Sequence, residues 1–386
     1  MTPTDDDFPP TLEAAYRRLA AVRPADYARS RNAIHGAVTR LSPYFTHGLL
    51  DLPAALAAVT QRYPLGPEDK LVMEFGWREF FQHVWRHLGE GILRDIRPPI
   101  RSQPYAQVLP ADVRSASSGV PVIDQAVRTL YATGYLHNHA RMWLASYLVH
   151  QRKLHWRVGA DWMYGHLLDG DLASNHLSWQ WVAGTFSSKP YLFNAENVAR
   201  YAPAEWHSPG TVIDTDYAEL EERARHGGDC GPEAHRPEPV EEPPLLAEPP
   251  LSPSVLPTSL PEQVRLVHPW SLGEVDPADY CLGWIDPRFH RRFPWSARRW
   301  RFVLERMQTV CAAVHIGDGR ELLERLRGSS LIARDTAHPG YAEVLRDGAV
   351  SLQPVPRFLP DPEQLRPSFS RFYGERMPRR RGWHKV

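Results

Sequence analysis

The sequence predicts an α+β multidomain protein in which a large all-helical region is followed by a small α/β domain. Three observations carry this prediction. Residues 10–205 show apolar residues at helical spacing and no alternating strand pattern. Residues 228–262 are rich in Pro and Glu, which is typical of an extended linker. After the linker, short apolar runs alternate with amphipathic segments, as they do in parallel α/β folds.

The helical pattern is clearest in the segment from residue 119 to residue 151. Ile123, Val127 and Leu130 fall on one helix face, and Gly134 offers the left-handed conformation in which helices commonly end. A second apolar face then begins, formed by Ala140, Leu144, Tyr147 and Leu148. We therefore expect two successive helices here, separated at the glycine.

The C-terminal region predicts short buried strands and intervening helices. We expect strands at VRLVHPW (264–270), YCLGWIDP (280–287), TVCAAVHIGD (309–318) and GSSLIARD (328–335), and helices at SARRWRFVLERMQ and GRELLERLRG. A glycine-rich nucleotide fingerprint is missing from this sequence, so the fold alone assigns no ligand. The final segment, RMPRRRGWHKV, is strongly basic, and is either solvated or in contact with phosphate.

Length and composition restrict the class of protein. The 386 residues suffice for one large domain and a smaller one. The 45 basic and 45 acidic residues balance, so a nucleic-acid site has to be a local patch. Three widely spaced cysteines fit neither a disulfide framework nor a zinc cluster, and we expect a reducing compartment and no metal. The acidic N-terminus and the lack of a long apolar run predict a soluble, cytoplasmic protein without membrane contact.

Two carboxylates flank a glycine in the segment YGHLLDGDLASNHLSWQWVAGT (164–185). Asp169 and Asp171 lie among apolar residues, and a buried charge is costly unless a partner compensates it. We therefore expect a polar group to lie against this segment. Taken without its context, the DGD motif could equally be an exposed turn.

Four segments of the helical region together resemble the FAD-binding catalytic domain of the photolyase/cryptochrome family. They are TRLSPYFTHG (39–48), EFGWREFFQHV (74–84), GYLHNHARMWLASYLV (134–149) and WRVGADWMYGHLLDGDLASNHLSWQWVAGT (156–185). The resemblance covers residues 25–205, close to half of the chain. It implies that the all-helical region is an FAD-binding domain of the photolyase type.

The resemblance implies a set of FAD-binding residues. In the family, the arginine matching Arg141 pairs with the carboxylate matching Asp169, which would supply the missing partner. The TRLSP motif could begin a helix whose free donors bind a pyrophosphate, or could be an ordinary helix cap. Asn175 matches a residue beside flavin N5, where asparagine is typical of photolyases. The implied FAD ligands are Tyr27, Thr39, Arg40, Leu41, Ser42, Arg78, Asn138, Arg141, Asp169, Asp171 and Asn175.

A second set of residues is implied to bind damaged DNA. Glu74 and Trp77 share one side of a helix, where an aromatic plate could stack on a base while a carboxyl bonds its edge. The same pattern also fits a core tryptophan beside a surface glutamate. In the family, the matching glutamate touches a pyrimidine dimer, and Glu74 would have to keep its proton in a desolvated site to donate there. Asn138 and Met142 match the cyclobutane-dimer enzymes, and Trp181 matches a tryptophan on the substrate side. The catalytic residues implied are Glu74, Trp77 and Asn175.

Trp179 and Trp156 match the first two members of the chain that carries electrons to the flavin in light. Both could equally be core tryptophans. The position of the third tryptophan of the family falls at Gln103. This sequence therefore departs from the family pattern at the outer end of the electron-transfer chain. Tyr105 or another aromatic residue could take its place.

The order of the domains resembles the bacterial photolyase-like subgroup called NewPHL, which has inverted topology. The expected organisation is an N-terminal tail (1–24), a helical FAD-binding domain (25–205), a Pro/Glu-rich linker (206–262), an α/β domain that seals the FAD site (263–375) and a basic tail (376–386). The resemblance implies a DNA photolyase in which reduced FAD splits cyclobutane pyrimidine dimers in UV-damaged, preferably single-stranded DNA. It implies a bacterial cytoplasmic location. It gives no indication of a second antenna chromophore or of an obligate protein partner. The alternative is a cryptochrome-like blue-light photoreceptor without repair activity.

Overall fold

The computed structural model describes residues 8–254, 256 and 261–377, so most of the predicted basic tail lies outside the described residues. The helices are α1 (Leu12–Ala20), α2 (Pro24–Ser30), α3 (Ser42–Thr46), α4 (Leu52–Thr60), α5 (Lys70–Leu88), α6 (Ala111–Arg114), α7 (Pro121–Thr133), α8 (Asn138–Ser146), α9 (Trp156–His166), α10 (Leu172–Ala183), α11 (Ala195–Tyr201), α12 (Tyr217–His226), α13 (Pro287–Arg292), α14 (Ala297–Val310), α15 (Gly319–Arg325), α16 (Tyr341–Asp347) and α17 (Phe369–Arg376). The strands are β1 (Leu245–Leu246), β2 (Gln263–Val267), β3 (Cys281–Ile285), β4 (Trp295–Ser296), β5 (Ala313–Ile316), β6 (Ser330–Arg334) and β7 (Val350–Gln353). Helices followed by a parallel sheet confirm the predicted fold class. Within the described part of the chain, we find no helix with the length and apolarity needed to cross a bilayer.

Residue contacts divide the chain into two compact units, each assembled from separate stretches of sequence. Unit 1 contains Arg23–Val38 and Glu90–Pro243, and unit 2 contains Phe8–Val22, Thr39–Gly89 and the described residues from 244 onward. The continuous helical domain expected over residues 25–205 is thus shared between the units, because residues 39–89 pack with the α/β part.

In unit 1, α7 and α8 form where the sequence predicts them. α7 buries its three predicted apolar residues and ends at Gly134, whose φ of 67° is left-handed and unstrained only for glycine. α8 buries Ala140 and Leu144 and continues into a π-helical turn at Tyr147–Gln151. Together with α9 and α10 these helices enclose one apolar core, in which Trp143 is fully buried.

The segment expected to be a linker contains a helix and packs on unit 1. Residues 217–226 form α12, and the inner face of this helix is buried. Farther along, the backbone N–H groups of Glu233 and Val240 donate to the carbonyls of Ser118 and Ser115, each at 2.8 Å. These bonds hold the extended stretch after α12 to the surface of unit 1, because backbone donors need partners wherever water is excluded.

Unit 2 contains a five-stranded parallel sheet with the strand order β5-β3-β2-β6-β7. The four predicted strands are confirmed as β2, β3, β5 and β6, and the two predicted helices as α14 and α15. β3 is buried along its whole length, as expected for a strand covered on both faces. The sequence analysis missed β7, because this short edge strand alternates half-buried and exposed residues and carries no apolar run.

The first helices of the chain also belong to unit 2. α1 lies in the stretch expected to be an N-terminal tail; Thr11 caps it, and it packs against α4. Two contacts tie the region of α3 and α4 to the α/β part. Nδ1 of His47 lies 2.7 Å from the carbonyl oxygen of Pro269, and Arg334 donates to Asp51 at 2.5 Å.

Candidate functional site

An ion pair in unit 1 joins α8 to the connection between α9 and α10. Nη2 of Arg141 donates to both carboxylate oxygens of Asp169, at 2.8 and 3.0 Å, and Nε donates to the carbonyl of Leu136 at 2.9 Å. The side chain of Asp169 is only 3% exposed. The structure therefore contains the partner that the sequence argument requires for this carboxylate.

Asp171 and Asn175 lie at the start of α10, and both are buried. Asp171 is the N-cap residue, and its Oδ1 accepts the N–H of Ser174 at 2.7 Å. Asn175 donates from Nδ2 to the carbonyl of Ala160 on α9 at 2.8 Å. Because a carbonyl can only accept, the contacting atom is the amide nitrogen, and the amide oxygen of Asn175 is directed away from Ala160.

Trp156 and Trp179 lie where α9 packs on α10. Trp179 covers Gly159 so closely that a Cβ at this glycine would lie 2.3 Å from the indole ring. Gly159 follows Trp156 by about one turn of α9. Trp156 is 3% exposed, and its indole N–H donates to Oδ1 of Asp95 at 2.6 Å. The structure thus places the two tryptophans on neighbouring turns of packed helices, as core residues.

The position that departs from the family pattern lies on the surface. Gln103 is exposed, whereas Tyr105 is half-buried. The Tyr105 ring lies edge-on to His155, with 6.3 Å between ring centroids, and His155 directly precedes Trp156. Asp95 was missed by the sequence analysis, because a single acidic residue in an irregular segment carries no signal of the side chain that it will meet.

A further polar contact, between the buried His176 and the partly exposed Asp161, links α9 and α10. Nε2 of His176 lies 2.8 Å from Oδ1 of Asp161, and Nε of Arg157 donates to both oxygens of that carboxylate at 2.7 Å. Burial acts to raise the pKa of Asp161, but the hydrogen bond from His176 and the charge of Arg157 outweigh it and lower the pKa. The sequence analysis missed this pair, since its members lie on different helices.

The remaining site residues predicted in unit 1 are Asn138, Met142, Trp181 and Tyr27. Asn138 is the first residue of α8, and its Nδ2 lies 3.4 Å from the sulfur of Met142, so the structure brings these two together. Trp181 is half-buried and packs against Tyr191, with ring centroids 5.9 Å apart. Tyr27 is half-buried on α2.

The TRLSP motif and its neighbours on α5 belong to unit 2. α3 begins at Ser42 with Pro43 in its first turn, where proline needs no hydrogen bond. Arg40 has a φ of 53°, a left-handed conformation that is uncommon for a side-chain-bearing residue. Nη2 of Arg78 donates to Oγ1 of Thr46 at 3.3 Å, so the structure brings Arg78 to the helix that this motif starts.

Trp77 does not present an open stacking surface. Its ring stacks on Phe369 of α17 with 4.0 Å between centroids and 10° between planes. α17 approaches α5 at Gly76, where a Cβ would lie 2.5 Å from the ring of Tyr373. Glu74 is exposed, so the desolvated carboxyl expected from the sequence is not found in this conformation of unit 2.

The buried carboxyl of α5 is instead Glu79, which is 5% exposed. Burial raises the pKa of Glu79 to about 7, although the charges of Arg357 and Arg86 oppose the shift. Glu79 lies within the segment EFGWREFFQHV (74–84), but the sequence analysis missed it, because the sequence of a helix does not show which of its acidic residues distant segments will bury.

His83, His87 and Asp361 have their ligand atoms close enough to hold a metal ion. Both nitrogens of His83 are already engaged, however. Nδ1 lies 2.7 Å from a carboxylate oxygen of Asp361, and Nε2 accepts the backbone N–H of Arg366 at 2.9 Å. This group therefore anchors the segment before α17 to α5 by hydrogen bonds.

Comparisons with known proteins find similarity over part of the chain. Residues 71–210 match the family model described as the FAD binding domain of DNA photolyase. The chain is 36% identical over 163 residues to the deoxyribodipyrimidine photo-lyase of Streptomyces griseus, a match covering 42% of this chain and 35% of that protein. It is 35% identical over 190 residues to the photo-lyase of Thermus thermophilus, covering 47% and 45%. A solved cryptochrome of Synechocystis sp. is similar with a TM-score of 0.49 at 24% identity, covering 59% of this chain and 55% of that one.

The family model identifies one part of the chain. Residues 71–210 carry an FAD-binding domain similar to that of DNA photolyase, and the chain is similar to the two photo-lyases over part of its length. It spans less than half the length of the two photo-lyases that it matches. The match to the FAD-binding domain supports FAD as the cofactor.

Proposed function

We propose that this protein is a light-dependent DNA photolyase that splits cyclobutane pyrimidine dimers, with a preference for single-stranded DNA. The observation that carries the proposal is the buried group of Arg141, Asp169, Asp171 and Asn175 inside the segment that matches the photolyase FAD-binding domain. Buried ionised groups are costly, and their retention is typical of a binding or catalytic site.

The chemistry of this buried group fits FAD. Two carboxylates offer acceptors for the N–H and hydroxyl groups of the cofactor, and the guanidinium of Arg141 forms an ion pair with one of them, Asp169. The amide oxygen of Asn175 is turned away from Ala160, and it could accept a hydrogen bond from an N–H group of bound, reduced FAD. The further FAD ligands that we propose from the resemblance are Tyr27, Thr39, Arg40, Leu41, Ser42, Arg78 and Asn138. When bound and reduced, FAD supplies the light-excited electron.

The proposed DNA-binding residues are Glu74, Trp77, Asn138, Met142 and Trp181. Stacking of a base on an aromatic ring contributes about 1–3 kcal/mol. The face of Trp77 that Phe369 covers becomes available to a base only if Phe369 moves. A flipped-out dimer costs less to extract from a single strand than from a duplex, which is the energetic basis for the proposed substrate preference.

One observation favours a second candidate, a cryptochrome-like photoreceptor that binds FAD but does not repair DNA. A photoreceptor needs no open dimer pocket, and the stack of Phe369 on Trp77 leaves less of that aromatic surface open than repair requires. The contact between Asn138 and Met142, the pair typical of cyclobutane-dimer enzymes, favours repair.

Repair of a dimer-containing oligonucleotide separates the two candidates. Reduced protein under blue light should restore thymine absorbance. The Glu74→Gln variant should lose most of this yield while keeping its FAD content and photoreduction, because the carboxyl group proposed to contact the dimer is removed but the flavin site is not touched. Glu13→Gln, an exposed glutamate on α1, is the control and should repair normally. An FAD-loaded wild type without any repair would favour the photoreceptor.

A further inference from the structure

The indole N–H of Trp156 is held by a carboxylate that reaches solvent. Trp156 is 3% exposed, and its Nε1 donates to Oδ1 of Asp95 at 2.6 Å, which is short for a nitrogen donor. The side chain of Asp95 is 33% exposed. One end of this carboxylate therefore touches a buried ring while the group remains accessible to water.

By the resemblance to the photolyases, Trp156 is the second member of an electron-transfer pair that begins at Trp179, and both rings are buried. Trp179 packs on Gly159, one turn from Trp156, and His176, one turn before Trp179 on α10, lies edge-on to Trp156 at 6.4 Å. The position where the family has a third tryptophan is the exposed Gln103. An electron hole that reaches Trp156 thus has no third tryptophan at the family's position to pass to.

We propose that Asp95 accepts the indole proton of Trp156 and so makes Trp156 the terminal electron donor for flavin photoreduction. The inference rests on the proposed function, because it requires bound flavin. Bound flavin, excited by light in its oxidised form, would take one electron from Trp179, and Trp156 would then give one electron to oxidised Trp179. The N–H bond of oxidised Trp156 breaks, its proton passes to the Asp95 carboxylate, and a neutral indole radical and a neutral carboxyl group remain.

The chain's own environment favours this proton transfer. A cation on a buried indole is poorly solvated, so loss of a proton removes a costly charge from the core. The carboxylate already accepts the N–H, so no rearrangement precedes the transfer. From Asp95 the proton can pass to water, and an external thiol can later return an electron and a proton to Trp156. Once oxidised Trp156 has lost its positive charge with the proton, it would less readily take an electron back from bound, reduced flavin.

The test uses oxidised, FAD-loaded protein and time-resolved visible absorption, in which cationic and neutral tryptophan radicals have different spectra. In the wild type we expect conversion of the cation into the neutral radical, slowed in heavy water. Asp95→Asn retains an oxygen that can accept the indole hydrogen bond but is not basic. It should slow the conversion by about 10²-fold or more and shorten the lifetime of the charge-separated state. Glu205→Gln, an exposed residue of unit 1, is the control.

A second measurement checks the structural basis without light or flavin chemistry. The indole N–H resonance of Trp156, identified by its loss in Trp156→Phe, should shift in Asp95→Ala, whereas the fold and FAD content stay unchanged. An Asp95→Asn variant whose cation converts at the wild-type rate would overturn the inference, and so would loss of the neutral radical in Tyr105→Phe instead. If the wild type binds no FAD or shows no photoreduction at all, the proposed function fails together with the inference.

Discussion

The pair of Arg141 and Asp169 gives the sharpest test of the site geometry. Replacing Arg141 by Met keeps an unbranched side chain but leaves the Asp169 carboxylate buried without its bidentate partner. The carboxylate is 3% exposed and loses two hydrogen bonds, at 2.8 and 3.0 Å. Breaking one side of a buried ion pair costs about 3–5 kcal/mol. Arg141→Met should therefore destabilise unit 1 by this amount.

Two further variants calibrate that number. The double variant Arg141→Met, Asp169→Asn also neutralises the buried carboxylate that has lost Arg141. It should therefore recover part of the lost stability of unit 1. Arg225→Met breaks an ion pair with Glu221, in which both side chains are well exposed, and should cost only about 0–1 kcal/mol.

Native-state hydrogen exchange is the appropriate assay, because two units need not unfold in a single transition. Exchange in FAD-free protein, followed on peptides from α8 and α10, reports the local free energy of opening. The reasoning is refuted if Arg141→Met lowers that free energy no more than Arg225→Met does, or if the double variant is no better than the single one.

Three other perturbations have definite expected outcomes. The pKa of Glu79 is about 7 in the folded protein and about 4.5 without burial. The wild type should therefore lose about 3 kcal/mol of unfolding free energy as the pH rises between these values, because the folded state disfavours the ionised carboxyl. Urea unfolding should find this loss absent in Glu79→Gln. Phe369→Ala should raise the affinity for dimer-containing single strands by roughly 2- to 10-fold in fluorescence anisotropy, because a stacked ring pair worth about 0.5–1.5 kcal/mol no longer covers Trp77. Unchanged or weaker binding would contradict the idea that Phe369 masks Trp77. Gly159→Ala places a Cβ 2.3 Å from the Trp179 ring and should cost about 1–3 kcal/mol in chemical denaturation, together with slower photoreduction. A neutral result would show that the α9–α10 contact is looser than described.

Much of the fold follows from local sequence signals. The apolar faces of α7 and α8, the left-handed Gly134 and the buried strand β3 are each specified by residues within a few positions of one another. The edge strand β7 escaped prediction because half-exposed residues lack such a pattern. The assignment of residues 39–89 to unit 2 depends on contacts between residues far apart in sequence, such as Arg334 with Asp51.

The candidate site likewise combines features that the sequence predicts with contacts that it does not predict. The buried carboxylates required a partner on general electrostatic grounds, and the pairing of Asp169 with Arg141 meets this requirement. The hydrogen bond from Trp156 to Asp95 joins residues 61 positions apart, and the stack of Trp77 on Phe369 joins α5 to the last helix. Neither of these contacts has a local signature, so only the three-dimensional structure reveals that a carboxylate adjoins Trp156 or that α17 covers Trp77.

The visible absorption spectrum of the purified protein tests the central claim most directly. If the buried group around Arg141 and Asp169 is a flavin site, the protein should contain FAD or take it up stoichiometrically, and blue light with a reductant should bleach the flavin bands. A protein that is colourless and stays so after incubation with FAD would contradict the account, whatever its stability.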